Sequence, residues 1–197
     1  MDLRGSKVKL SRALGIALTP RAAIVMQRRP QPPGMHHGGN ARRRKTSEYK
    51  AQLLEKQRLR AQYNVGERQF VNYYALALNT PGNTGQNLVS ILETRLDALV
   101  LRAGFARTIW AARQYVNHGH ITVNGKKVSI PSYRLRVGET IGVKQKSRTM
   151  PAFVEASESG SSAVTYLSID RKALSARLTH TPERDEVPVV CDVQTIV

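Results

Sequence analysis

Hydrophobic positions recur at helical spacing through the middle of the chain and switch to alternation near residue 120. Thr46 or Ser47 is a candidate cap for a first helix, with Glu48 near the positive end of the dipole and no breaker before Asn64. A second helix is predicted from Glu67 to about Leu78, because Phe70, Tyr73, Tyr74 and Ala77 fall on one face. These aromatics read as core. The run from Asn79 to Asn87 is rich in turn residues and forms a natural boundary. Beyond it Leu92, Leu96, Leu99 and Ala103 make one apolar stripe, so a single helix is predicted up to Gly104. Thr108 then caps a further helix with Ile109, Ala112 and Val116 inward, closed by Gly119.

From His120 the period is two. Ile121-Thr122-Val123, the pair Asn124-Gly125, and Lys126 to Ile130 predict a hairpin with a type I′ turn. Thr140 to Lys144 adds a strand. Residues 88–145 therefore read as helix, helix, hairpin and strand, a small α+β unit. Further on, Ser157 to Ser162 reads as a flexible linker, Val164 to Ile169 as a strand and Arg171 to Leu178 as a short helix. Val187 to Val197 alternates loosely and is expected as a terminal strand or coil. Residues 1–45 show no sustained period, and Pro30 to Asn40 is rich in Pro, Gly and His, so an extended arm is expected there.

Charge changes this picture. The 197 residues leave room for one large or two small domains, and 31 Lys and Arg oppose 14 Asp and Glu for a net +17. A compact chain with that charge repels itself unless a polyanion neutralises it, and nucleic acid is the default polyanion. An anionic membrane is the rival partner, but no run of about twenty apolar residues spans a bilayer, so no membrane partner is expected. The charge is uneven: residues 1–70 carry net +12, 71–150 net +8, and 151–197 net −3. The arm contributes Lys7, Lys9 and Arg12, then the run Arg42-Arg43-Arg44-Lys45, which reads as a phosphate clamp. Lys50, Lys56, Arg58 and Arg60 project from the first predicted helix, and Arg68 and Gln69 lie off the apolar face of the second. Arg95 and Arg102, seven apart on one predicted helix, would share a face.

The lone Cys191 rules out an internal disulfide and a Cys-based structural zinc site, and fits a reducing, intracellular compartment. His36 and His37, and His118 and His120, have no cysteine or carboxylate at ligand spacing, so neither metal nor cofactor is expected. No signal peptide is expected either.

Residues 88–145 also carry a family resemblance. Leu92-Glu93-Thr94-Arg95-Leu96-Asp97, Arg102-Ala103-Gly104-Phe105-Ala106, Ala112-Arg113-Gln114-Tyr115-Val116-Asn117-His118-Gly119-His120-Ile121, Val123-Asn124-Gly125 and Ile130-Pro131-Ser132-Tyr133 resemble the RNA-binding module named after ribosomal protein S-four. Pro33-Gly34, His36-His37-Gly38, Tyr49, Leu54-Glu55-Lys56-Gln57, Glu67-Arg68-Gln69-Phe70, Tyr73-Tyr74 and Gly82-Asn83-Thr84-Gly85 are similar to the N-terminal domain of that family, and Pro182-Glu183-Arg184 still fits it.

The resemblance implies a helical N-terminal domain completed by the C-terminal segment, with the small module, two helices on a short sheet, inserted between them. It gives four regions: a basic arm at 1–45, a helical rRNA-binding domain at 46–87, the module at 88–150, and a linker with a C-terminal segment packing back on the N-terminal domain at 151–197. It implies a structural protein of the small ribosomal subunit in the cytoplasm, an organellar ribosome being the lesser alternative. Such a protein binds 16S-type rRNA early, nucleates the subunit body, touches protein five, lies near the mRNA entrance and influences decoding accuracy. By matching position, the RNA face would include Arg95, Arg102, Arg113, Gln114, His118, His120, Asn124 and Lys126, with Tyr49 and Asn83 from the N-terminal region.

Three features depart from the family pattern. Ile109 stands where the family usually has Arg directly after the Thr cap, with Arg107 a candidate substitute. The zinc-binding cysteine cluster of many members is absent, so the likeness is to the zinc-free kind. Val197 falls slightly short of the usual family end.

Two rivals remain. Arg95-Leu96-Asp97 resembles the motif holding the catalytic Asp of pseudouridine synthases, but those enzymes build a large separate domain around it, so no enzyme is expected here. A stand-alone RNA-binding translation factor is the other rival, and the long basic arm argues against it.

Overall fold

The structure is a computed structural model that describes residues 5–34, 47–158 and 164–196. The chain divides into two compact units, Met1–Asn72 with Val189–Val197, and Tyr73–Pro188.

In the first unit, α1 (Lys7–Leu14) and α2 (Pro20–Arg28) occupy the stretch expected as an extended arm. Both have local causes. Ser6 and Thr19 accept from the backbone N–H groups of Lys9 and Ala22, Pro20 stands in the first turn of α2, and Gly15 closes α1 at φ 72°. Leu10, Leu14 and Ile16 pack with Ala61 of α3 (Glu48–Gln62), and with the half-buried Leu54 of α3 and Leu18. The correction to the extended-arm expectation thus rests on capping residues and a short apolar stripe among the cations. The run Arg42 to Lys45 lies outside the described residues.

α3 begins at the Ser47 cap, and α4 (Glu67–Leu78), which runs on into the second unit, buries Phe70, Tyr73 and Ala77 of the predicted face, with Tyr74 only half-buried. Among the described residues, the C-terminal segment of the first unit forms no strand. It is held by α3 instead: Gln62 exchanges two hydrogen bonds of 3.1 Å with the Val190 backbone, and the Asp192 N–H donates to Glu55 at 3.0 Å.

In the second unit the predicted single helix is two. α5 (Thr84–Glu93) and α6 (Leu96–Arg102) are separated at Thr94 and Arg95, where Arg95 is extended with φ −68° and ψ 144°. The break comes from residues far away in sequence. Leu135 N–H donates to Thr94 O at 2.9 Å, and Tyr133 O and Pro131 O accept from the N–H groups of Leu96 and Asp97 at 2.8 and 3.1 Å. Those carbonyls satisfy the first donors of α6, which otherwise have no intrahelical partner. The apolar stripe survives, with Leu92, Leu96, Leu99 and Ala103 all buried.

α7 (Ile109–Asn117) starts at the Thr108 cap as predicted, and Gly119 follows at φ 72°. Then come β1 (Ile121–Val123), β2 (Lys126–Lys127) and β3 (Thr140–Val143), with Asn124 and Gly125 at φ 49° and 77° in the turn, as a type I′ hairpin requires. α8 (Pro151–Glu158) precedes β4 (Leu167–Asp170) and β5 (Ser175–Leu178). The antiparallel sheet has five strands in the order β2-β1-β3-β5-β4.

β5 replaces the short helix predicted at Arg171 to Leu178. Its residues favour helix intrinsically, but Ala176 and Leu178 are buried while Arg177 is exposed, and the strand pairs on both sides, with β3 and β4. Tertiary pairing overrides propensity here. The region 151–197 therefore does not return to the N-terminal unit as one piece: its strands extend the sheet of the second unit, and the stretch from Val189 belongs with the first.

Candidate nucleic-acid interface

The end of α7 and the β1–β2 hairpin present one polar surface in the second unit. Gln114, His118, Asn124, Lys126 and Lys127 are exposed, and Arg113 is partly so. Gly119 is why they lie together. Its left-handed backbone turns the chain from helix to strand, and a Cβ there would sit 2.1 Å from Lys127 Cε. The Lys127 side chain therefore lies across Gly119, beside the helix end. Asn124 is exposed yet braced: its Oδ1 accepts from Thr140 N–H at 2.9 Å and its Nδ2 donates to Glu139 at 3.2 Å. The turn that carries Lys126 is fixed to β3 rather than loose.

Several expected contact residues have structural partners within the protein. Arg95 is 1% exposed. Its Nε and Nη2 donate to the two carboxylate oxygens of Asp97 at 3.0 and 2.6 Å, and its Nη1 donates to the Tyr73 hydroxyl at 2.6 Å. It offers no surface to RNA, and the helix break removes the face it was expected to share with Arg102. Arg102 is mostly buried and donates to the fully buried Glu93 at 2.6 Å. Tyr166 donates to the same Glu93 oxygen at 2.5 Å. Burial, reinforced by the Glu93 charge, pushes the Tyr166 hydroxyl far above its ordinary range, so it stays a donor. Burial likewise raises the Asp97 carboxyl, against the opposing pull of Arg95 and of Arg113 at 3.6 Å.

His120 is half-buried against Tyr115 and Phe153, and its Nδ1 lies 3.0 Å from the Ser147 hydroxyl. It packs more than it presents. Asn83 is exposed but caps α5, accepting from Gly85 and Gln86 N–H at 2.9 and 3.2 Å. Ile109 is buried at 3% and fills core where the family pattern has Arg, while the exposed Arg107 pairs with Glu155 at 2.9 Å.

In the first unit, Lys9, Arg68, Gln69 and Tyr49 are exposed and Lys7 is partly exposed. Arg12 donates twice to Gln31 O, at 3.1 and 2.8 Å, and so pins the chain after α2. Arg58 donates to Leu14 O at 2.8 Å and pairs with Glu55. Arg60 is buried and, with Lys56, engages Glu67. Lys56 and Arg60 hold the Glu67 carboxyl below its usual range, the Lys56 hydrogen bond most strongly.

Lys127, Arg134, Arg136, Lys144, Lys146 and Arg177 are also exposed cations, and no motif singled them out. Alternation alone signals some of them, since Arg177 sits between two inward residues of β5. Among the described residues no group of three or more His, Cys, Asp or Glu side chains is placed to hold a metal, and no helix is long and apolar enough to cross a membrane.

A family model described as the ribosomal protein S4/S9 N-terminal domain matches residues 2–93, and one described as the S4 domain matches residues 94–141. The junction between the two matches falls at the α5–α6 break. The chain is 53% identical over 195 residues to the small ribosomal subunit protein uS4 of Streptomyces avermitilis, covering 97% of this chain and 94% of the relative. The uS4 proteins of Leifsonia xyli subsp. xyli, 53% identical over 197 residues, and Micrococcus luteus, 52% over 195, are similar across 98% and 96% of this chain and 94% and 93% of their own lengths.

Proposed function

We infer what this chain does from the family to which it belongs, the uS4 proteins of the small ribosomal subunit: it is a structural constituent of that subunit and binds its rRNA. The observation that carries the inference is near-full-length identity to uS4 proteins in a chain of net +17.

The finer parts are our proposals. The protein grips folded rRNA by shape and phosphate contact, through Arg113, Gln114, His118, Asn124 and Lys126 in the second unit. Lys7, Lys9, Arg68, Gln69, Tyr49 and the run Arg42 to Lys45 serve the first. Binding comes early and nucleates the subunit body, beside protein five and near the mRNA entrance, with an influence on decoding accuracy. It does so in the cytoplasm.

It acts as a scaffold and performs no reaction. The pseudouridine synthase alternative needs an accessible carboxylate, and Asp97 is fully buried with both oxygens engaged by Arg95. Uridine isomerisation that depends on Asp97 would overturn the scaffold view.

The test is binding of the full chain to small-subunit rRNA across a salt series. The affinity is expected to fall by about 0.9 log units per log unit of salt for each duplex phosphate engaged. A flat profile would sink the proposal. Replacing Arg42, Arg43, Arg44 and Lys45 by Ala should make the slope shallower without changing the thermal unfolding midpoint.

A further inference from the structure

We propose a second phosphate-binding site in the Tyr73–Pro188 unit, at a cavity of 280 Å³ lined by Arg148, Arg171, Lys172, Leu174 and Val154. It takes an RNA backbone phosphate. All five residues lie beyond residue 141, outside the stretches that the two family models match.

One residue of β3 builds the site. Val143 N–H donates to Leu174 O at 3.0 Å, and Val143 O accepts from Arg148 Nε at 3.2 Å. The arginine and the β4–β5 turn are thereby both held at the same strand end. The turn itself is tightly shaped. Leu174 takes a left-handed backbone at φ 45° with its side chain buried, and the exposed Asp170 carboxylate is tied to the turn, accepting Ala173 N–H at 3.0 Å. Arg171 and Lys172 are left exposed at the tip. A left-handed leucine is strained, so the surrounding pairing must hold it.

Among the described residues, the lining carries three cations and no carboxylate. Leu174 and Val154 provide an apolar wall that lowers the local dielectric and strengthens any ion pair formed inside. Arg is suited to chelating phosphate oxygens through two parallel N–H groups. Exposed Lys144 and Lys146 lie in the segment leading to Arg148 and extend the positive field toward bulk solvent. A concave site fits a phosphate that protrudes from a backbone better than carboxylates spread over a protein surface, and this favours RNA over an acidic protein.

The proposal rests on the rRNA-binding inference above, and the experiment separates the two. Full-length wild type and R148Q/R171Q/K172Q are titrated with small-subunit rRNA from low to high salt. The variant is expected to bind about tenfold more weakly at fixed salt, through lost charge-assisted hydrogen bonds. Its log affinity should fall less steeply, by about 0.9 for each phosphate no longer engaged. The charge-preserving R148K/R171K should keep the wild-type slope. Unchanged slope and affinity in the glutamine variant overturn the site. So does normal rRNA binding coupled with failure to enter reconstituted subunits, which assigns the cavity to an acidic protein neighbour. Wild type that fails to bind rRNA at all overturns both inferences. If the triple variant does not melt cooperatively, R171Q and K172Q on the exposed turn carry the same readouts.

Discussion

Arg95 and Asp97 meet in a two-point pair, Nε to Oδ1 at 3.0 Å and Nη2 to Oδ2 at 2.6 Å, with both side chains buried. Two residues apart, they straddle the start of α6 and lock the break between α5 and α6 in place. Removing one member strands the other charge. Asp97→Ala should therefore destabilise the protein by about 3–5 kcal/mol in urea denaturation, whereas joint replacement of both by apolar residues of similar volume should cost far less. Equal losses for the single and double variants would remove the pair from its structural role.

Tyr166 reaches Glu93 across 73 residues of sequence and shares it with Arg102. Tyr166→Phe leaves that buried carboxylate one donor short. A loss of about 1–3 kcal/mol is expected, read as a lower denaturation midpoint at unchanged slope. An unchanged midpoint would show that Arg102 alone suffices.

Gly119 joins α7 to β1 in the left-handed region with Lys127 across it. Gly119→Ala places a Cβ where the lysine stem runs. Backbone strain of about 1–2 kcal/mol is expected, together with weaker rRNA binding from a displaced Lys127. Both stability and binding at wild-type levels would count against this account.

Glu186 is held down to about 2 from an ordinary 4.5 by hydrogen bonds from Thr165, the Glu183 backbone N–H and His180. A depressed carboxylate adds stability above its unfolded value and loses it as pH falls through the folded one. The contribution should be complete above pH 4.5 and disappear as pH falls toward about 2. Thermal midpoints of wild type should fall more steeply across that window than those of Glu186→Gln, and parallel curves would refute the assignment.

Much of the second unit was legible in its residues. The Thr108 cap, the Gly119 stop and the Asn124-Gly125 turn each act over a few residues, so local chemistry suffices to locate α7 and the hairpin. The aromatic face of α4 was legible for the same reason: periodicity reports burial directly. The two helices within residues 1–45 were not legible, because their caps, Ser6 and Thr19, open short segments in which cations interrupt the apolar period.

Net charge, family likeness and the local signals of caps and turns are properties of residues near one another in sequence, and the amino-acid order carries them unaided. Which cations face outward is not such a property. Arg95, Arg102 and Arg60 are the same residue type as Arg68, yet the first three meet Asp97, Glu93 and Glu67 and are drawn inward. The α5–α6 break and the strand at Ser175–Leu178 arise from backbone partners supplied by distant segments. Charge is written along the chain, but its exposure depends on how the helices break and pack, because burying an arginine is tolerable only where the fold holds a carboxylate against it.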